Sequence, residues 1–169
     1  MTRTHARSPE GERAFYKRPG SRGGNISLVG AIRLGESPVL YPFDGAVDGE
    51  RFLYFLKHHL VPTLRVGDVV VMDNCRIHHI EDVKTLLGTV GAAPLFMPPY
   101  SPELNPIEEA WSLIKGVFKS LEARTISEYV DALETARQAV TPEKIRAYVD
   151  HASSFLRNPA PLEILRTSP

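Results

Sequence analysis

Two carboxylates in this chain stand where chemistry could use them. Asp73 closes the wholly apolar run "VVVM", and Glu108 lies in "PPYSPELNPIEEAW", at the start of an amphipathic pattern. An acid at the end of a strand and another at the start of a helix, facing one crevice, suit Mg²⁺ or Mn²⁺. These are hard cations that prefer carboxylate and phosphate oxygen. In phosphodiester chemistry such ions activate the attacking oxygen and stabilise the leaving one. Two acids are too few for a pair of metals, so a third is expected. Cys75 is the single cysteine, which leaves neither a disulfide framework nor a zinc cluster within the chain.

Each of these residues also has an ordinary structural reading. Asp73 and Asn74 can simply open a turn, and His78 can be a polar residue near a helix start. Asn105 is a favoured N-cap, Pro106 fits the first helical position, and Glu108 falls where a capping box puts its glutamate. Glu109 adds a second acid favoured by the helix dipole. Helix initiation does not account for the density of proline. Pro98, Pro99, Pro102 and Pro106 each fix φ and bias the preceding residue away from helix. A connection this stiff suits a side chain that must be placed closely. Ser112, Lys115 and Lys119 continue a polar stripe from Glu108, beside Trp111. The stripe could hold metal at its acidic pole and phosphates at its lysines, or be plain solvated surface.

The elements that must position these residues follow from periodicity. Apolar runs over residues 26–34 and 38–43, with Gly35-Glu36-Ser37 between them, predict a hairpin. Phe52, Phe55, Leu56 and Leu60 share one helical face, with Asp48 as cap and Pro62 past the end. The run Val69–Met72 lacks alternation and predicts a strand buried on both faces. "IEDVKTLLGTVG" is amphipathic, with Gly91 as its C-cap, and "AAPLFM" is a short strand. A helix is expected from about Pro106 to Leu121, and two more in "TISEYVDALETARQAV" and "TPEKIRAYVDHASSFL". Strands alternating with helices, fronted by a hairpin, predict a mixed α/β sheet.

The totals bound the function classes. A chain of 169 residues with a 43% hydrophobic fraction fits one domain with a real core. It contains no apolar run of membrane-spanning length and no signal-peptide pattern, so the expectation is cytoplasm and no membrane partner. The formal net charge of +0 argues weakly against a dedicated nucleic-acid binder. The charge is uneven, however: Arg3, Arg7, Arg13, Lys17, Arg18 and Arg22 face only Glu10 and Glu12 over the first 22 residues. Such an arm is either a solvated terminus or a phosphate contact.

"VVVMDNCRIHH" together with "PLFMPPYSPELNPIEEAW" resembles the catalytic core of DDE-superfamily transposases, in the bacterial insertion-sequence branch related to mariner elements. The 34 residues between Asp73 and Glu108 match that family's acidic spacing. The resemblance runs from about residue 1 to about 150, including "ARSPEGER" and "FDGAVDGERFLYFL". It implies an RNase H-like fold over 1–150, a mixed sheet with flanking helices, and a C-terminal tail over 151–169. It also implies Mg²⁺-dependent (or Mn²⁺-dependent) DNA cleavage and strand transfer at transposon ends. Asp73 matches the second catalytic acid and Glu108 the third, both as metal ligands; Asn74, His78 and Asn105 match supporting positions. DNA is the implied partner, with Lys115, Lys119, Arg3 and Arg7 as contacts. A homodimer, or pairing with an N-terminal transposase part, is implied too, as is a nucleoid-associated place in the cytoplasm. An RNase H-like nuclease unrelated to transposition is disfavoured by "PPYSPELNPIE".

The first acid of the family pattern lies on an opening strand upstream of the segment resembling "MTRTHARSPEGER", and the chain begins after that point. Asp44 and Asp48 fall where the family has no catalytic residue. The expectation is therefore a downstream reading frame completed by frameshifting, or a truncated copy. The missing strand should lie beside the one ending at Asp73, so its loss should leave an open edge.

Overall fold

A computed structural model of the chain describes residues 26–99, 101–121 and 126–157. Arg3, Arg7 and "ARSPEGER" lie outside the described residues. β1 (Ile26–Ala31) and β2 (Val39–Asp44) form the antiparallel hairpin, in register Ile26↔Asp44 to Ala31↔Val39. Its turn passes through Gly35 at φ +79°, a left-handed conformation that favours glycine. α1 (Gly49–Phe55) starts at Asp48, whose carboxylate accepts the Arg51 N–H at 3.0 Å. It winds on through a π-helical turn (Leu56–Leu60) and ends in a 3-10 turn containing Pro62.

β3 (Val69–Met72) runs parallel to β4 (Ala93–Phe96), with α2 (Glu81–Gly88) in the crossover. Three helices follow: α3 (Ile107–Leu121), α4 (Ile126–Ala139) and α5 (Pro142–Arg157), the last continuing past position 150. The element order is the expected one. Among the described residues the strands form two separate two-stranded sheets, β1-β2 and β3-β4.

The hairpin lies between two apolar cores. Val29, Ala31, Val39 and Tyr41 pack on the first, built on Phe52, Phe55, Leu56, Leu60, Val83 and Leu87. Leu28, Ile32 and Leu40 pack on the second, built on Ala110, Ile114, Ala136, Val140 and Ile145 of α3 to α5. Alternation along a strand sends successive side chains to opposite faces, so each hairpin strand serves both cores. β3-β4 belongs to the first core through Val70, Met72 and Phe96.

The opposite face of β3-β4 corrects an expectation. The run Val69–Met72 predicts burial on both faces, yet Val69 is 57% exposed, Val71 53% and Leu95 54%. These three line a groove of about 1100 Å³ instead of packing against a covering element. The run is apolar because the strand is shaped for contact on both sides; on this side the contact is missing among the described residues. At the lower lip of the groove the two sheets are tied by side chains. The Arg33 guanidinium, just past β1, pairs with Asp68, just before β3, and donates to the Thr63 carbonyl at 3.0 Å.

His59 packs beside the first core, against Tyr41 and Phe55. Its ring stacks on Tyr41 at a centroid distance of 4.1 Å, and its Nε2 is buried with no hydrogen-bond partner among the described residues. Burial, then the neighbouring His58 charge, lowers its pKa below the ordinary imidazole value of 6.5. The unfolded chain takes up that proton with ordinary affinity, so the folded state resists a charge the unfolded state accepts. Stability linked to His59 is therefore present above about 6.5 and lost as the pH falls from there. Urea midpoints measured between about pH 7.5 and about pH 5.5 should decline on acidification, and His59→Phe should make the decline shallower. Identical slopes in the two proteins would contradict the assignment.

Candidate metal centre

Asp73 sits at the carboxyl end of β3, where ligands gather in open α/β sheets. Its Oδ1 accepts the Cys75 N–H at 3.0 Å, a local turn that the residue type favours. The same oxygen lies 2.8 Å from His78 Nδ1, and because a carboxylate only accepts, the proton of that bond is on Nδ1. The His78 ring rests 4.5 Å from the ring of buried Phe52, which holds it against the first core. Both partners therefore fall on Oδ1, and Oδ2 has none among the described residues. Asn74 does something else. Its side-chain oxygen bonds His79, whose ring stacks on Phe96 at 4.1 Å, so Asn74 fastens the turn to β4.

Glu108 is placed by the proline-rich connection. Met97 N–H donates to the Met72 carbonyl at 2.9 Å, extending the β3-β4 ladder, and Pro102–Leu104 then winds a 3-10 turn. Asn105 caps α3: its side-chain oxygen accepts Ile107 N–H at 3.4 Å and its carbonyl accepts Glu108 N–H at 3.1 Å. The capping-box reading of Glu108 does not hold. The Asn105 N–H that the glutamate would have reached already donates to the Pro102 carbonyl at 3.0 Å. The Glu108 carboxylate is left exposed, without a hydrogen bond or ion pair among the described residues. Glu109 points elsewhere, pairing with His151 of α5. Burial and the Glu109 charge together push the phenol of nearby Tyr148 up.

Asp73, His78, Asn105 and Glu108 line one end of the same groove. Lys115 and Lys119 do not line it; Lys115 is exposed further along α3. Asp44 and Asp48 do not line it either. The unpartnered Asp73 Oδ2 and the Glu108 carboxylate are oxygen donors of the kind a hard divalent cation takes. Among the described residues no three His, Cys, Asp or Glu side chains stand together as a metal cluster, so the pair is an incomplete ligand set.

The two acids reach this groove from different cores. Asp73 follows β3 of the first core, while Glu108 begins α3 of the second. Trp111, one turn past Glu108, packs toward the hairpin at Gly30. A Cβ there would stand 3.0 Å from the Trp111 ring and 2.6 Å from a Leu40 methyl. Spacing between acids did not reveal Gly30, Trp111 or Phe52 as site-positioning residues. The available signal was a glycine inside a strand pattern, which marks close approach.

The frame is RNase H-like, and solved structures share it. The "Crystal structure of the Mos1 Strand Transfer Complex" aligns with a TM-score of 0.71 at 16% identity, covering 94% of this chain and 48% of that one. The "Crystal structure of the Mos1 mariner paired end complex with Mn" aligns at 0.67 and 16%, covering 92% of this chain and 49% of that one. The chain thus spans about half the length of these structures. No curated protein matches it. The DDE superfamily endonuclease family matches residues 1–131, and the chain belongs to that family.

Coupling through the hairpin is testable by overpacking. Gly30→Ala should destabilise the chain by about 1–3 kcal/mol in urea unfolding, since it forces a methyl against Trp111 and Leu40. It should also change Trp111 fluorescence in the folded state. A substitution neutral by both measures would show that α3 is not seated on the hairpin.

Proposed function

We propose that this chain is the C-terminal catalytic part of a transposase, acting on DNA by divalent-metal-dependent phosphoryl transfer. The observation that carries this reading is that Asp73, with its Oδ2 unpartnered, and the unpartnered Glu108 line the same groove, in a chain of the DDE superfamily. Asp73 and Glu108 are the catalytic, metal-holding acids. Mg²⁺ or Mn²⁺ bound there would activate the attacking oxygen and stabilise the leaving one. His78 holds the Asp73 carboxylate through Oδ1, Asn105 seats the start of α3, and Asn74 fixes the turn behind Asp73. The catalytic domain covers 1–150 and the tail 151–169.

The substrate is DNA, namely transposon ends and target, in the nucleoid of the cytoplasm. Lys115 and Lys119 on α3, and Arg3 and Arg7 in the basic arm, supply cations for phosphate oxygens. The missing third acid comes from an upstream polypeptide segment joined by frameshifting, and the working unit is a dimer or a pairing with that part. A second reading, an inactive truncated transposase that only associates with DNA or with the full-length enzyme, draws on the absence of a three-ligand cluster among the described residues.

The test compares the chain alone with the chain extended by the polypeptide encoded immediately upstream. The extended protein should cleave transposon-end DNA in Mg²⁺ or Mn²⁺, and Asp73→Ala or Glu108→Ala should each lower the rate on the order of 10³-fold or more. The chain alone should show little or no cleavage. Robust cleavage by the chain alone, lost in both variants, would refute the need for an upstream acid. Activity surviving both substitutions would refute the site.

A further inference from the structure

β3 and β4 pair in parallel, and a parallel ladder advances two residues per rung on each strand. The Ala93 N–H donates to the Asp68 carbonyl at 2.9 Å, and the Met97 N–H to the Met72 carbonyl at 2.9 Å. At the same spacing the next rung would run from residue 99 to the carbonyl of residue 74. Residue 99 is proline and carries no N–H, so this rung cannot form. Donation from the β4 side therefore stops at Met72, one residue short of Asp73. The proline-rich connection to Glu108 begins on the other strand at the same level.

Side chains join the two strands beyond that point. His79 closes the 3-10 turn Arg76–His79 that follows Asp73. Its Nε2 bonds the side-chain oxygen of Asn74, and because an amide oxygen only accepts, the proton is on Nε2. The His79 ring lies on that of Phe96, with centroids 4.1 Å apart and planes within 26°. Phe96 ends β4 opposite Met72 and packs on the first core. Ile77 and Ile80 pack on the same core, so the turn that carries His79 is itself seated. One imidazole thus links Asn74, the neighbour of Asp73, to the strand end that leads to Glu108. His78 has a different task, since it bonds the Asp73 carboxylate itself and rests on Phe52.

We infer that His79 is a positioning residue for the acid pair. It supplies through side chains the rung that Pro99 removes, and so sets the Asp73–Asn74 turn against the strand that delivers Glu108. It acts through Asn74 and Phe96 and contributes no ligand of its own. The bond to Asn74 is the decisive contact and the stack on Phe96 its support. The link does not depend on the imidazole charge, because Nε2 carries a proton both in the donor tautomer and in the imidazolium. Partners that orient metal ligands change metal affinity by roughly 10–100-fold, and for a residue one step further back the lower end, about tenfold, is expected. The metal effect rests on the proposed function, while the link between the strand ends does not.

The test compares the full 169-residue chain with three variants: His79→Ala, His79→Phe, which keeps a ring but no donor, and His79→Gln, which keeps a donor but no ring. Mn²⁺ affinity is read from the electron paramagnetic resonance signal of the free ion. Hydrogen exchange of the Cys75 amide, which donates to Asp73 Oδ1, is read in the metal-free chain, and urea midpoints report on the fold. His79→Ala and His79→Phe should each weaken Mn²⁺ binding about tenfold and speed Cys75 exchange about threefold or more. Their urea midpoints should stay close to that of the unaltered chain, since His79 is exposed. His79→Gln should recover most of both losses. Unaltered behaviour of His79→Ala or of His79→Phe overturns the inference. So does an equal loss in all three variants matched by lower urea midpoints, which would make His79 a residue of the fold alone. If the unaltered chain binds no Mn²⁺, the metal reading fails and Cys75 exchange decides the link: faster in His79→Ala and His79→Phe but not in His79→Gln upholds it, and no change overturns it. If all four proteins bind Mn²⁺ equally, the link fails and the metal reading stands.

Discussion

The parts of this molecule that bear on chemistry depend on a half-buried hairpin that packs against one apolar core on each face. β1 and β2 send Val29, Ala31, Val39 and Tyr41 into one core and Leu28, Ile32 and Leu40 into another. Asp73 is fixed to the first core and Glu108 to the second. The relative position of the two acids therefore depends on packing through the hairpin as well as on the proline-rich connection that places Glu108. Gly30 is the close contact in this arrangement, because any larger residue meets Trp111 of the helix that Glu108 opens.

The second organising feature is the space between the sheets. Burying apolar side chains is the dominant favourable term in folding, so three large residues on one sheet face at more than half exposure call for a physical explanation. Val69, Val71 and Leu95 all line the groove, and the sheet edges beside them are open. The Arg33–Asp68 pair closes only the lower end. Asp73 and Glu108 line the groove together with His78.

Local signals in the sequence carried far. The order of strands and helices, the Gly35 turn, the Asp48 cap and the Asn105 cap all rest on contacts within a few residues, and each stands in the structure. What failed depended on distant chain, except at Glu108, where a neighbouring turn decided it. The run Val69–Met72 shows that a strand is made for two-sided burial; it does not show whether the second side is occupied. Glu108 stands at the spacing of a capping box, yet the 3-10 turn at Pro102–Leu104 takes the Asn105 N–H first. Gly30 and Trp111 lie too far apart in sequence for any pattern to link them. The stripe from Glu108 to Lys119 proved to be one helix with two surroundings: the acid at the groove, the lysines away from it. Family resemblance, not periodicity, connected Asp73 to Glu108, and the shared groove gives that connection a physical form.

The central claim is that two acids from separate cores form one cation site. Paramagnetic broadening tests it directly: Mn²⁺ is added at low stoichiometry to the ¹⁵N-labelled chain and amide signals are followed. Signals around Asp73–Cys75 and around Ile107–Glu109 should broaden together, and Asp73→Ala alone should remove both effects. Broadening confined to one group, or persisting at Glu108 after Asp73→Ala, would contradict it.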